Sequence, residues 1–245
     1  MYRFFIEDEI DSGNDILITG ADYNHIKNVL RMKIGEQVLV SDGKDREYRC
    51  SIYQIGEKEI QLKIEDIIGT SRELPTKITL FQGLPKGDKM EQIIQKAVEL
   101  GACEIVPVAM KRSVVKLDAK KAAKKTERWN AIALSAAKQS KRGIIPKVSP
   151  VLSFSEALKL ASEMDAFLLP YENAKGMEGA RQLVQSMKAK SSIAVWIGPE
   201  GGFEENEVEQ AKEAGAKTLT LGNRILRTET AGMTMLSILM FLLEE

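Results

Sequence analysis

The sequence predicts an α/β protein in which helices cover both faces of a mostly parallel sheet, preceded by a smaller β-rich domain. Three observations carry this. From Lys77 onward, short apolar runs alternate with segments of helical period, the pattern of strand–helix–strand units. Before that, residues 1 to about 70 hold short runs rich in β-branched and aromatic residues. Near the end, two apolar runs each lead into a glycine-containing loop and then a helix, the place where open α/β sheets bind ligands.

Each element has its own justification. In the first segment Ile16 to Ile18, Gln37 to Val40 and Tyr48 to Tyr53 read as strands, and Gly56 to Glu59 as a hairpin turn into Ile60 to Ile64. One helix is expected over Ala21 to Arg31, so the segment resembles a small barrel with one helix. Gly69 to Pro75 is polar, with Gly and Pro, and reads as a linker between domains at 1–70 and 76–245. Lys77 to Phe81 is the next strand. Met90, Ile93, Ile94, Ala97 and Val98 then share one helix face, Asp88 and Glu91 have capping-box spacing, and Gly101 suits the C′ position. Glu104 to Val108 is a strand, and Ala119 to Ser140 a long basic helix. Strands follow near Ala166 to Leu169, Ile193 to Ile197 and Thr218 to Leu221. Helices follow near Phe154 to Ser162, Gly176 to Lys188, Glu204 to Ala214 and Thr230 to Leu243. On the last, Met233, Leu236, Leu239, Met240 and Leu243 form an apolar stripe that suits a core or a dimer seam.

Composition narrows the function classes. The 245 residues are 44% hydrophobic and 29% charged, ordinary for a globular protein. Two distant cysteines and a single histidine give neither a disulfide framework nor a metal centre, and they fit a reducing cytoplasm. The first residues lack the apolar core of a signal peptide, and Ala231 to Leu243 is shorter than the ~20 apolar residues a bilayer span needs. The expectation is a cytoplasmic protein with no membrane and no metal. The net charge of zero hides an excess: from Lys111 to Lys147 there are twelve Lys or Arg and two acidic residues. Such a cluster attracts a phosphate backbone, although a lysine run also serves as a plain solvated helix face.

The chemistry concentrates in two loops. Gly198-Pro199-Glu200-Gly201-Gly202 fits neither the dinucleotide nor the phosphate-loop pattern. Its glycines let main-chain groups approach a ligand and read an adenine edge, although the same residues make an ordinary tight turn. The second loop, Gly222 to Ala231, carries Arg224, Arg227 and Glu229. Thr228 or Thr230 can cap the last helix and Glu229 suits its first turn. Two arginines at the helix's positive end need another partner, such as a phosphate, a carboxylate or a developing negative charge. His25 reads as a partly buried structural histidine, with an RNA contact alongside Lys27 and Arg31 as the alternative.

The motifs then converge. His25 with Val29-Leu30-Arg31, Lys86-Gly87-Asp88-Lys89-Met90-Glu91, Gln95 to Gly101, Arg112-Ser113-Val114, Ile197 to Phe203 and Leu226 to Ala231 occur in that order. Over nearly its full length the chain resembles the bacterial 16S rRNA uridine-N3 methyltransferase family. The resemblance implies a SPOUT-type α/β domain with a deep trefoil knot, a PUA-like RNA-binding barrel before it, and a homodimer holding S-adenosylmethionine in the knot. It also implies a uridine of small-subunit rRNA as substrate. Carried over by position, the cofactor residues are Leu168, Leu169, Pro170, Ile197, Gly198, Pro199, Glu200, Gly201, Leu221, Gly222, Leu226 and Arg227. Asn223 stands where the family pattern has proline, and Lys138 to Arg142 replaces a more acidic version.

Uracil N3 is a poor nucleophile until its imide proton leaves, so the reaction asks for a base and for a cation beside the resulting anion. Arg227 is the expected cation, with Arg224 or Arg142 of the partner subunit in reserve, and Glu200 and Glu229 are the candidate bases. RNA contacts are expected from His25, Lys27, Arg31, Lys86, Arg112, Lys120, Lys121, Lys124, Lys125 and Arg142, with phosphate contacts orienting rather than reading sequence. The alternatives are a non-enzymatic ribosome-assembly factor and a related knotted enzyme acting on tRNA or on a ribose hydroxyl.

Overall fold

Alternation of buried and exposed residues builds the first sheet: Ile16 and Ile18 are buried while Leu17 is exposed, and Val38 and Val40 are likewise buried. The computed structural model describes residues 1–6, 15–43, 46–69 and 72–244, so Thr70 and Ser71 of the expected linker lie outside the described residues. The strands are β1 (Tyr2–Phe5), β2 (Ile16–Thr19), β3 (Gln37–Ser41), β4 (Arg46–Ile55) and β5 (Glu59–Gly69), in the order β1-β3-β4-β5-β2. β1, which the sequence reading passed over, pairs parallel with β3, and the other pairs are antiparallel. The Gly56 N–H donates to Glu59 O at 2.9 Å and closes the expected hairpin.

The single helix differs from expectation. α1 (Gly20–Asn24) passes into a π-helical turn over His25–Val29, with the Leu30 N–H donating to His25 O at 2.8 Å. The helix stops before Arg31, which takes a left-handed φ of 52° and turns the chain out. His25 is exposed rather than partly buried, with its ring edge-on to Phe4.

From Lys77 the elements are β6 (Lys77–Gly83), α2 (Lys89–Glu99), β7 (Glu104–Ala109), α3 (Ala119–Ser140), β8 (Lys147–Val148), β9 (Leu152–Ser153) and α4 (Phe154–Ser162). Then come β10 (Ala166–Pro170), α5 (Met177–Gln185), β11 (Ser192–Ile197), α6 (Glu205–Glu213), β12 (Lys217–Leu219) and α7 (Thr228–Leu243). The sheet order is β12-β10-β11-β6-β7-β8, with β9 also on β7, and its pairs are parallel. Phe81, Val106, Phe167 and Trp196 pack with Ala157 and Ala161 of α4 and Val208 and Ala211 of α6. Their strand neighbours Leu80, Ile105, Leu168 and Val195 are buried as well, so both faces of the sheet are covered.

Gly101, at φ 93°, ends α2: the Ala102 N–H donates to Ala97 O and the Gly101 N–H to Val98 O, closing a Schellman motif. The capping box expected at the other end is absent. Asp88 makes no side-chain cap bond, and Glu91 instead pairs with Arg128 at 2.8 Å. Capping boxes stand at α4 (Ser153 with Glu156) and α6 (Glu204 with Glu207).

The chain forms two compact units, one of Met1–Glu73 with Ala137–Ile145 and one of Leu74–Ala136 with Pro146–Glu245. The end of α3 and the residues after it thus belong to the first unit. Lys138 pairs with Asp22 at 2.8 Å, Ser41 Oγ donates to Gly143 O at 2.7 Å, and Arg142 meets Glu73 through Nε at 2.9 Å. Among the described residues no helix is long and apolar enough to cross a membrane.

Candidate active site

β12, β10 and β11 lie side by side and parallel, so the loops that leave their C-terminal ends share one edge of the sheet. These loops enclose a cavity of about 400 Å³. Pro170, Tyr171 and Glu172 come from the first, Ile197 to Glu200 with Gly202 and Phe203 from the second, and Thr220 to Thr228 from the third. Ala231 of α7 and Lys89 of α2 complete the wall.

Glycine is required where these loops meet other chain. A Cβ on Gly198 would stand 3.2 Å from the Phe203 ring, and one on Gly83 would stand 2.5 Å from Pro199 Cδ and 2.6 Å from Pro199 N. A hydrogen-bonded chain then ties three segments together. Gln82 Nε2 donates to Thr228 Oγ1 at 2.8 Å, and Thr228 Oγ1 donates to Gly198 O at 2.6 Å. Thr228 therefore does not cap α7. The N-cap position is Arg227, which makes no side-chain cap bond, and Thr230 lies inside the helix.

Charge is arranged around Lys89. Its Nζ lies 3.0 Å from Glu200 Oε1 and 3.5 Å from Glu229 Oε2. Glu200 also accepts from the Lys86 N–H at 3.1 Å. Burial opposes ionisation of Glu200, but the Lys89 ammonium and the main-chain N–H groups of Glu200 and Lys86 outweigh it and hold the carboxyl below its usual range. The same contact with Glu200 raises the Lys89 ammonium. Arg224 and Arg227 line the cavity and, among the described residues, make no side-chain hydrogen bond or ion pair.

The structure brings together most of the residues expected to hold a cofactor: Pro170, Ile197, Gly198, Pro199, Glu200, Leu221, Gly222, Leu226 and Arg227 all line the cavity. Leu168 and Leu169 do not. They are fully buried inside β10, between β11 and β12, and belong to the sheet core. Gly201 faces away from the cavity wall toward Arg112, whose Cβ would lie 3.0 Å from a Cβ placed on it. Glu229 reaches the cavity only through Lys89.

The expected RNA residues divide. Lys86, Lys120, Lys121, Lys124, His25 and Arg31 are exposed. Lys27 is half-buried, donating to Tyr23 Oη and to Gly56 O. Lys125 leans over the Trp129 ring. Arg112 braces the glycine loop, with Nη1 on Gly201 O at 3.2 Å and Nε on Glu204 at 3.3 Å. Arg142 is only 4% exposed, and its guanidinium is held by Glu73, so it is an interior ion pair and not a surface cation.

Lys89, Tyr171, Glu172 and Thr220 line the cavity and Gln82 braces it, none of them expected at the site from the sequence. Lys89 carried a signal: it opens a helix, where a cation is disfavoured, the same anomaly that marked Arg227. Gln82 gave none, because a buried amide between apolar strand residues shows its partners only in three dimensions. A concave cavity with mixed apolar and polar walls, open main chain and a few convergent charges suits a small ligand carrying both a flat ring and charged groups.

Comparison with known proteins agrees with this geometry. Residues 72–240 match the family described as RNA methyltransferase domain, and residues 18–65 match RNA methyltransferase PUA domain. The ribosomal RNA small subunit methyltransferase E of Bacillus subtilis (strain 168) is 41% identical over 97% of this chain and 95% of its own. That of Mesomycoplasma hyopneumoniae (strain 232) is 34% identical over 97% and 98%. The crystal structure of the Neisseria gonorrhoeae enzyme bound to S-adenosyl methionine superimposes with a TM-score of 0.86 at 34% identity, covering 99% of this chain and 98% of that one. The chain belongs to the ribosomal RNA small subunit methyltransferase E family, built on an RNA methyltransferase domain joined to a PUA domain.

Proposed function

We propose that this protein transfers a methyl group from S-adenosylmethionine to N3 of a uridine in the 16S rRNA of the small ribosomal subunit. The observation that carries the reading is the cavity at the ends of β10, β11 and β12, in a chain that matches a cofactor-bound relative over its whole length. Its walls fit the cofactor. Pro170, Leu221 and Leu226 offer apolar surface to a flat ring, and Gly198, on the cavity wall with no side chain, leaves its main chain open to that ring. Glu172 offers a carboxylate to a cationic group. Bound there, S-adenosylmethionine supplies an electrophilic methyl group on sulfur.

The chain's own task is the acceptor. Loss of the N3 proton leaves charge on N3 and the flanking carbonyl oxygens, and Arg227 is placed to stabilise it. Of the two candidate bases Glu200 stands on the cavity wall and is the carboxylate for the proton, while Glu229 lies behind Lys89. In this reading residues 1–70 are a PUA-like RNA-binding barrel and 76–245 a knotted SPOUT-type catalytic domain, working as a homodimer in the cytoplasm where ribosomes mature. The dimer is supported by Ile225 and Phe241, apolar and each 87% exposed on or beside α7. Exposed Lys120, Lys121 and Lys124 would orient RNA through its phosphates.

The test is calorimetric titration with S-adenosylmethionine, beside Gly198→Trp, followed by mass spectrometry for N3-methyluridine in small subunits incubated with protein and cofactor. Saturable binding lost in the variant, with methyl on N3, is the expected result. Binding with methyl at another position would reassign the acceptor, and no binding with or without subunits would refute the enzyme reading.

A further inference from the structure

Lys89 stands where a helix does not want a cation. It is the first residue of α2, at the positive end of the dipole, and it is held there by carboxylates from two other segments, Glu200 of the glycine loop and Glu229 of α7. Glu229 Oε2 is buried and accepts no hydrogen bond among the described residues, so the ammonium at 3.5 Å is the charge that balances it. An ammonium has three donors and no acceptor. One bonds Glu200 at 3.0 Å, a second only faces Glu229 at 3.5 Å, and the side chain still lines the cavity and is a third exposed. One donor therefore remains for whatever occupies the cavity beside Arg227.

We propose that Lys89 is a second cationic catalytic residue of the methyl transfer, offering its remaining N–H to a carbonyl oxygen flanking the reacting imide nitrogen. This rests on the methyl-transfer reading above. In the balanced step the N3–H bond breaks and its proton passes to a carboxylate of the cluster. The nitrogen pair then forms the N–CH₃ bond, and the electrons of the S–C bond stay on sulfur as a neutral thioether. Without Lys89 the imide anion would form next to Glu200 and Glu229 with no positive charge between them. The tether to both carboxylates holds the ammonium in place before the acceptor arrives, as electrostatic preorganisation requires.

The test compares Lys89→Met and Lys89→Arg on small subunits carrying uridine and on subunits carrying 5-fluorouridine at the target. Fluorine withdraws electrons and makes N3–H more acidic, so the anion needs less help. Lys89→Met is expected to lower turnover on uridine about 10²-fold, the cost of removing one donor from a developing oxyanion. Its binding of S-adenosylmethionine should be little changed, and Lys89→Arg should recover most of the loss. On 5-fluorouridine the Lys89→Met penalty should shrink several-fold. An equal penalty on both acceptors, or a loss of cofactor affinity as large as the loss of turnover, would overturn the assignment. Absence of turnover by the unaltered protein on either acceptor would instead refute the methyl-transfer reading, so the two failures are distinguishable.

Discussion

Gly83→Ala tests whether the end of β6 sets the wall of the cavity. The added methyl would lie 2.5 Å from Pro199 Cδ, 2.6 Å from Pro199 N and 2.8 Å from Met110 Sδ. Two of these are parts of a backbone segment and a ring that cannot swing aside. To reach an ordinary contact of 3.4 Å, Pro199 must retreat by about 0.9 Å. Overpacking of this kind costs about 1–3 kcal/mol. Pro199 lies between Gly198 and Glu200, so the same movement displaces both. Misplacement near 1 Å can cost about 10²-fold at a site, so S-adenosylmethionine affinity should fall at least about ten-fold. Gly232→Ala is the control. Its methyl would meet only Gln82 Oε1 and Ile197 Cγ1, both at 3.8 Å, inside helix α7. Alanine there should leave stability unchanged or raise it by up to about 1 kcal/mol. Urea unfolding and calorimetric titration read both effects. A Gly83→Ala protein as stable and as tight-binding as the parent would refute the argument that contact with β6 positions the glycine loop.

Three further outcomes follow from the same geometry. Arg112→Ala should weaken cofactor binding while leaving the salt dependence of RNA binding nearly unchanged, since its guanidinium holds Gly201 and Glu204; replacing Lys120, Lys121 and Lys124 together should flatten that salt dependence instead. Arg142→Ala removes the cation from the partly buried Glu73 carboxylate, leaving it the Gly143 and Ile144 N–H groups, and should destabilise the first unit by up to about 3 kcal/mol, measured by urea unfolding; a loss under 1 kcal/mol would show that those N–H groups and water suffice for the carboxylate. The Glu200 carboxyl is held below its ordinary value of 4.5, so its contribution to stability is present above that value and lost as pH falls through the lower folded one. The stability difference between the parent and Glu200→Gln should therefore be constant near neutrality and shrink in acid below pH 4.5, and a difference that grows in acid would reverse the sign of the assignment.

Regular elements were legible wherever one local rule sufficed. The period of Met90 to Val98 marked α2, the apolar runs marked β10 and β11, and the limits of α3 and α4 agree with expectation. Local rules failed where a partner distant in sequence competes for the same group. Asp88 and Glu91 have capping-box spacing, yet Glu91 goes to Arg128. Thr228 sits at the start of a helix like a cap, yet its hydroxyl bridges Gln82 and Gly198. Arg142 belongs to the basic run, yet it is buried against Glu73.

The sequence by itself determined the class of fold, the positions of the two ligand-facing loops and the arginine at the head of α7, because glycine content, apolar period and helix polarity act over a few residues. Only the tertiary structure decided that Leu168 and Leu169 belong to the core while Tyr171 and Glu172 line the cavity, and that residues 137–145 belong with the first sheet. It alone joined Lys89 to Glu200 and Glu229. Contacts of this kind depend on which strand ends and loops the parallel sheet sets side by side, and side chains more than a hundred residues apart in sequence meet there through burial and charge, which no local pattern records.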